Sequence, residues 1–208
     1  MQFKPAPVVV LLKGRRPSLG LDFVAVDFEI ANYDLSSACA VGLAVVRDGQ
    51  LTAATSYLIR PPTRRFVFTR IHRLKWKDVC DAPTFSDLWN ELRDQLGSEI
   101  LVAHNAVFDR MVLCECLRHY RIPYRLNPFL CSMELCKELF GFSRLKLDYV
   151  CRQLEIALEH HNAESDANAA ASIVIKAADR LSAASTSELF EFLRAKPFTA
   201  RPNGHAGT

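Results

Sequence analysis

Two acidic residues, Asp27 and Glu29, lie two positions apart in the otherwise apolar segment 22–30 of this chain. The valines and phenylalanines of the segment are typical of a buried β-strand, in which alternate side chains point to the same face. Two carboxylates side by side in a buried strand repel each other and lose solvation, and a bound cation would offset both costs. The alternative is that the strand has simply reached solvent here.

Two further acids and a histidine lie at or near the starts of predicted helices. Asp109 lies in the first turn of one over 107–120, and Asp166 in the first turn of one over 164–182, each on the apolar side of its helix. His161 precedes Asp166 by five positions. Each acid could serve only to favour the helix dipole, and a single histidine is usually structural or exposed. Together, however, carboxylates on separate elements can converge on Mg²⁺ or Mn²⁺, and a nearby histidine can take a proton from water.

The elements that must position these side chains follow from apolar spacing and turn residues. Asp48-Gly49 between two apolar runs is typical of a hairpin turn, and Thr84 and Gly97 are typical of the start and end of a helix. Five strands are predicted, over 22–30, 38–48, 51–60, 99–103 and 128–131. Helices are predicted over 84–97, 107–120, 132–139, 146–155, 164–182 and 186–195. This order predicts an α/β fold, a mixed five-stranded sheet flanked by helices.

The composition limits the classes of protein to which the chain can belong. Apolar residues make up 50% and charged residues 24%, so the chain as a whole is not disordered, and no apolar run approaches the ~18 residues of a membrane span. The net charge of +3 permits nucleic-acid binding without arguing for it. The seven cysteines include no CxxC pair, so we expect reduced, mostly buried thiols and a cytoplasmic protein. One domain is predicted over 21–195, between an N-terminal arm (1–20) and a flexible C-terminal tail (196–208).

Three segments resemble the exonuclease motifs of the DnaQ-like DEDDh family, which includes the DNA polymerase III epsilon subunit and ribonuclease T. They are VAVDFE at 24–29, AHNAVFD at 103–109 and HNAESDA at 161–167, in the order of the family. The resemblance covers residues 22–182. It implies a ribonuclease H-like fold and a metal-dependent 3′→5′ exonuclease that hydrolyses phosphodiester bonds at the free 3′ end of single-stranded DNA or RNA.

The resemblance also implies a catalytic site that holds two divalent cations, Mg²⁺ or Mn²⁺. Asp27 would bridge both ions, Glu29 and Asp166 would complete the site of the first, and Asp109 would support the second. His161 would be the general base that activates the attacking water. Two ions can stabilise both the attacking and the leaving oxygen of a phosphodiester, and carboxylates supply the negative charge that holds them together.

The chain matches the family in the spacing between the general base and the last acid, and it departs from the family at positions near the substrate. The HxxxxD spacing selects His161 rather than the adjacent His160 as the base. Ile30 stands where many relatives have threonine, and Arg73 and Leu74 stand where relatives often have Gly-Ile. These departures affect substrate preference rather than the metal ligands.

Residues beside the motifs are candidates for substrate contacts. Ile30, Asn32, Asn105 and Phe108 are predicted to contact the 3′-terminal nucleotide, as is Tyr33. The segment 61–77 contains no acid, and its cations could neutralise phosphates while its aromatic side chains stack on bases. Alternatively, it is a solvated loop whose aromatic residues belong to the core. The residues concerned are Arg64, Arg65, Arg70, Arg73, Lys75 and Lys77, with Phe66, Phe68 and Trp76.

Two other functions are compatible with the same residues. The chain could be a non-catalytic module that binds nucleic acid or a polymerase, although such a module would not need all five candidate catalytic residues. It could also be a hydrolase of small phosphoesters, which would cleave monomers without dependence on chain length. Some relatives are dimers, so a homodimer stays open.

Overall fold

The computed structural model of the chain describes residues 20–195, so the predicted tail and all but the last residue of the predicted arm lie outside the described residues. The five strands are β1 (Phe23–Ile30), β2 (Ala38–Arg47), β3 (Gln50–Leu58), β4 (Ile100–Ala103) and β5 (Phe129–Cys131). They form one mixed sheet in the order β3-β2-β1-β4-β5. β2 pairs antiparallel with both β1 and β3, whereas β4 pairs parallel with both β1 and β5.

Six of the eight helices in residues 20–195 are those predicted, with ends within about two residues of the expected ones. The other two helices have four residues each and were not predicted: α1 (Thr69–His72) lies within the segment 61–77, and α2 (Trp76–Val79) begins at its end. No helix within residues 20–195 is both long and apolar enough to cross a membrane. The helices are α1 (Thr69–His72), α2 (Trp76–Val79), α3 (Phe85–Leu96), α4 (Ala106–His119), α5 (Ser132–Phe140), α6 (Leu147–Gln153), α7 (Ala163–Leu181) and α8 (Thr186–Ala195).

The predicted turn and cap residues have the expected conformations. Asp48 and Gly49 both have positive φ angles, of 48° and 72°, as a tight hairpin turn requires. The hydroxyl oxygen of Thr84 accepts the backbone N–H of Asp87, and the Asp87 carboxylate accepts the N–H of Thr84. This capping box begins α3, and Gly97, which also has positive φ, ends it.

The central strand β1 separates two layers of the core. Val24, Val26 and Phe28 belong to the cluster that includes buried residues of α3 and α4. Phe23 and Ala25 point to the other face and pack with α5, α7 and α8. Because side chains alternate along a strand, Asp27 and Glu29 continue this second face, towards α7.

A glycine in β2 allows α7 to approach this face closely. Gly42 pairs with Asp27 across the sheet. A Cβ added at Gly42 would overlap the main-chain carbonyl of Ala163 and approach the backbone nitrogen of Glu164. The absence of a side chain at Gly42 therefore lets the first turn of α7 lie directly beside Asp27.

The cysteines are mostly buried, as predicted. All seven are unpaired, and Cys39, Cys116, Cys131, Cys136 and Cys151 are buried. Burial raises the pKa of the Cys116 and Cys136 thiols to about 12, so these thiols are neutral at physiological pH.

Candidate active site

Three of the predicted carboxylates converge where β1 meets the start of α7. Asp27 and Glu29 project from β1 towards α7, and Asp166 lies in the first turn of that helix, with 4% of its surface exposed. One carboxylate oxygen from each of the three lies within 4.8 Å of the others. Asp166, more than 130 positions from Asp27 and Glu29 in the sequence, thus joins them in one cluster of oxygen ligands.

The fourth predicted carboxylate, Asp109, is bound to the backbone of β1. It lies in the first turn of α4 and is 2% exposed. Its Oδ1 accepts the backbone N–H of Phe28 at 2.9 Å. The pairing of β1 with β4 ends at Ala25, so Asp109 supplies an acceptor where the neighbouring strand no longer does. Asp109 lies outside the cluster of three but close enough to raise the pKa of Asp27.

The four carboxyl groups are held in an environment that disfavours their ionised forms. Desolvation, followed by repulsion from the other acids, raises the pKa of Asp27 well above its usual range. The same causes raise the pKa of Glu29 to about 8. Desolvation raises the pKa of Asp109 to about 7, although the N–H of Phe28 opposes the shift, and it also raises the pKa of Asp166.

The chain supplies little positive charge of its own to this site. Within residues 20–195, no lysine or arginine forms an ion pair with any of the four acids, and His160 is the basic side chain within ion-pair distance of one of them, Asp166. Clustered carboxylates with raised pKa values bind a cation well, because the cation removes their repulsion and replaces their lost solvation. Oxygen ligands of this kind suit Mg²⁺ or Mn²⁺. The residues therefore fit the divalent ions that the resemblance implies.

Two adjacent histidines lie beside Asp166. The backbone N–H of His161 donates to Asp166 Oδ2 at 3.0 Å, and His160 Nδ1 lies 3.3 Å from the same oxygen. The two rings stack with their centroids 3.8 Å apart. Desolvation and the neighbouring His160 lower the pKa of the His161 imidazole, while Asp166 opposes the shift. His161 is therefore largely neutral at pH 7 and able to accept a proton. The contact of His160 was missed, because it depends on the left-handed backbone of His161 (φ 67°).

A cleft of about 270 Å³ opens next to these groups. Its lining includes Glu29, His160, His161, Arg73 and Leu74. Two of the three positions at which the sequence departs from the family, Arg73 and Leu74, therefore border the same space as a predicted ligand and the predicted base.

A buried histidine holds this part of the chain against the end of β1. The N–H of Leu74 donates to His72 Nδ1 at 3.1 Å, so the ring proton lies on Nε2, which donates to the carbonyl oxygen of Ile30 at 3.2 Å. Desolvation lowers the pKa of His72, which keeps the ring neutral. No local pattern in the sequence indicates this positioning role of His72.

Two predicted substrate contacts, Ile30 and Asn32, are engaged within the protein. The side chain of Ile30 packs in the core and leaves 8% of the residue exposed. The side-chain amide of Asn32 donates to the carbonyl oxygen of Arg65 at 3.0 Å, and its oxygen accepts the N–H of Asp34 at 2.8 Å. Asn32 thus joins the segment after β1 to the start of the basic segment.

Three other predicted contacts remain accessible to different degrees. Asn105 is exposed at the start of α4, where it has a left-handed backbone with φ 75°. Phe108 is half-buried against the core. Tyr33 is 77% exposed, and its ring packs edge-on against Phe68 with centroids 4.9 Å apart.

The basic segment 61–77 presents its charges to solvent. All six of its cations are exposed, and none of them forms an ion pair with an acid in the described residues. Its aromatic residues are half-buried, and Arg64 lies over the ring of Trp76 at 5.2 Å. The role of the segment in binding nucleic acid stays a prediction.

Comparison with known proteins agrees with this geometry. The family model RNase_T, described as an exonuclease, matches residues 24–174. DNA polymerase III subunit epsilon of Aquifex aeolicus is 28% identical over 177 residues, which cover 82% of this chain and 87% of that protein. Exodeoxyribonuclease 10 of Escherichia coli K12 is 32% identical over 139 residues, 62% of this chain and 57% of that protein. The PolC-type DNA polymerase III of Clostridium perfringens is 25% identical over 170 residues, but the matched region spans only 12% of its length.

Solved structures show the same fold. Exonuclease X in complex with 5′ overhanging duplex DNA superposes with a TM-score of 0.67 at 22% identity, over 82% of this chain and 98% of that one. The nuclease domain of 3′hExo, a DEDDh family member bound to rAMP, superposes with a TM-score of 0.61 at 12% identity, over 81% and 96% of the two chains. The fold is ribonuclease H-like, as the resemblance implied.

Proposed function

This chain belongs to the RNase_T exonuclease family, and from that premise we propose that it removes nucleotides from the 3′ end of single-stranded DNA or RNA by metal-dependent hydrolysis. The observation that carries the proposal is the convergence of Asp27, Glu29 and Asp166 within 4.8 Å, with no lysine or arginine paired to them in residues 20–195. Without bound cations, repulsion among these carboxylates lowers the stability of the fold. Binding divalent cations is a function that explains why the acids are placed together despite this loss of stability.

The four carboxylates Asp27, Glu29, Asp109 and Asp166 are the residues that would hold two Mg²⁺ or Mn²⁺ ions. Such ions, when bound, stabilise the negative charge that develops on the phosphate and on the leaving oxygen. The N–H of Phe28 fixes the orientation of Asp109, and the N–H of His161 fixes that of Asp166. Oriented ligands of this kind define where the scissile phosphate can bind.

A neutral imidazole at the cleft would take the proton from the attacking water. We assign this role to His161, whose lowered pKa keeps it unprotonated at neutral pH and whose position in the chain fits the motif. His160 is the competing candidate, because its Nδ1 approaches Asp166. In that contact His160 would orient the Asp166 carboxylate rather than accept a proton from water. Substituting each histidine alone therefore distinguishes the two roles.

The cleft favours a single-stranded end as the substrate. Its volume of about 270 Å³ lies just below the usual range for ligand sites and suits about one nucleotide. The relatives are named for DNA polymerases and an exodeoxyribonuclease, whereas one similar structure holds rAMP, so both sugars belong in the test.

Two further predictions concern location and assembly. We expect a cytoplasmic location, in which the cysteines stay reduced. We also expect a homodimer, which light scattering would detect.

The proposal is tested by incubating the purified chain with 5′-labelled single-stranded DNA and RNA of equal sequence, with Mg²⁺ or Mn²⁺. We expect a ladder that shortens from the 3′ end and is absent with EDTA or in Asp27→Asn. Asp179→Asn, an exposed change of the same kind on α7, should degrade the strand like the wild type. Binding of the strand without cleavage would instead indicate a binding module. Cleavage of a nucleotide phosphoester with no loss of the strand would indicate a small-molecule hydrolase.

A further inference from the structure

Arg73 has a backbone conformation that favours glycine. It is the residue that ends α1, with φ 65°, and its N–H donates to the carbonyl oxygen of Thr69 at 2.9 Å. A side chain in this left-handed region is disfavoured by its Cβ, so glycine would be the easier residue here. The chain nevertheless carries a long cationic side chain at this position, which suggests that the side chain itself has a use.

The surroundings of Arg73 leave its charge available to a ligand. Arg73 is exposed and lines the cleft together with Glu29 and His161. In the described part of the chain its guanidinium has no acidic partner within ion-pair distance. The His72 hydrogen bonds hold the adjoining Leu74 against β1, so the base of the side chain is fixed.

We propose that Arg73 binds a backbone phosphate of the nucleic-acid strand at the mouth of the catalytic cleft. The inference rests on the proposed function, because it concerns the substrate of that site. A guanidinium presents several donors in one plane and matches phosphate oxygens in pairs. The four carboxylates repel an anionic strand until cations bind, and a fixed cation beside them reduces that repulsion as the strand enters.

The chain contains a matched control for this residue. Arg121 is also exposed, also has a left-handed backbone (φ 55°), and follows the end of α4 that lies farthest from Asp109. Arg73→Gly and Arg121→Gly therefore remove the same charge and relieve the same backbone conformation, one at the cleft and one away from it. Both variants should melt within a few degrees of the wild type, because glycine accepts positive φ.

The test measures kcat and KM for a single-stranded oligonucleotide at several salt concentrations with Mg²⁺. Loss of one charge-assisted phosphate contact in Arg73→Gly should raise KM by about tenfold and leave kcat within about twofold. The plot of log KM against log salt should become shallower by about 0.7, the value for one phosphate contact on a single strand. Arg73→Lys should keep the slope, and Arg121→Gly should match the wild type in every measurement.

Two results would overturn the inference and leave the proposed function standing. The first is a wild-type KM and salt slope in Arg73→Gly while the strand is still degraded. The second is a fall in kcat at unchanged KM, which would place Arg73 at the transition state instead of in substrate binding. If the wild-type chain itself degrades no strand in the presence of Mg²⁺ or Mn²⁺, the proposed function fails, and this inference fails with it.

Discussion

Replacing Glu29 by glutamine should stabilise the metal-free protein while it abolishes hydrolysis. Desolvation, and then repulsion from Asp166 and Asp109, raises the pKa of Glu29 from 4.5 to about 8 in the folded chain. A carboxyl group whose pKa is raised by folding contributes its full stability below the unfolded pKa, and that stability is lost as the pH rises through the folded pKa. The loss for Glu29 therefore falls between about pH 4.5 and pH 8.

The size of the effect follows from the same pKa values. The difference between 4.5 and about 8 corresponds to about 5 kcal/mol of unfolding free energy above pH 8, as an upper limit. Glutamine removes the charge but buries an amide whose incomplete hydrogen bonding costs about 1–2 kcal/mol. The net gain in Glu29→Gln should thus be about 3 kcal/mol at pH 8. At pH 4.5, where the carboxyl group is largely protonated, the charge-related gain should be less than about 1 kcal/mol.

Urea unfolding in EDTA between pH 4.5 and pH 8.5 measures this difference directly. The advantage of Glu29→Gln over the wild type should grow with pH, and added Mn²⁺ should reduce or reverse it because the wild type binds the ion more tightly. Glu191→Gln, an exposed change on α8, should track the wild type throughout. If Glu29→Gln had no advantage at pH 8, or one independent of pH, the repulsion attributed to the carboxylate cluster would be refuted.

Substitutions at four further positions test how the site is built. In Gly42→Ala the new Cβ would overlap the backbone of Ala163, so we expect a loss of about 1–3 kcal/mol by urea unfolding and at least a tenfold fall in kcat as α7 shifts. His161→Ala should lower kcat by about 10²–10⁴-fold with little change in Mn²⁺ affinity, whereas His160→Ala should lower kcat less. Asp109→Asn and Asp109→Ala should both abolish hydrolysis, but the alanine variant should be less stable by about 1–3 kcal/mol because it leaves the Phe28 N–H without an acceptor.

The glycine and histidine tests each have a comparison elsewhere in the chain. Gly141→Ala is strained by its φ of 67° but meets no atom within 4 Å, so it should cost stability without changing kcat. His119→Ala removes an exposed histidine at the far end of α4 and should leave kcat unchanged. Normal kcat in Gly42→Ala, in His161→Ala or in Asp109→Asn would each contradict the role given to that residue.

The sequence predicted most of the fold because its signals are local. Because alternate side chains of a strand share a face, the strand predicted over 22–30 placed Asp27 and Glu29 on one face, and both lie half-buried between buried neighbours in β1. Asp48-Gly49 and the Thr84 cap predicted the turn and the start of α3, and both depend on residues close together in the chain. The two helices that were missed, α1 and α2, span four residues each, which is too short for an apolar period to be recognised.

The details that depend on tertiary contacts could not be predicted. The importance of Gly42 follows from its register opposite Asp27, which no local pattern contains. The contact of His160 with Asp166 depends on the left-handed backbone of its neighbour. Asn32 was predicted as a substrate contact from its place beside the first motif, but its amide is already bonded to the backbone of the basic segment.

The carboxylate cluster is tested most directly by the number of Mn²⁺ ions that the chain binds, measured from the signal of free Mn²⁺ by electron paramagnetic resonance with a nucleoside 5′-monophosphate present. We expect two ions per chain for the wild type and for Asp179→Asn, and a loss of tight binding in Asp27→Asn. Two tightly bound ions in Asp27→Asn would contradict this expectation, because the ions would then be held somewhere other than the carboxylate cluster of β1 and α7.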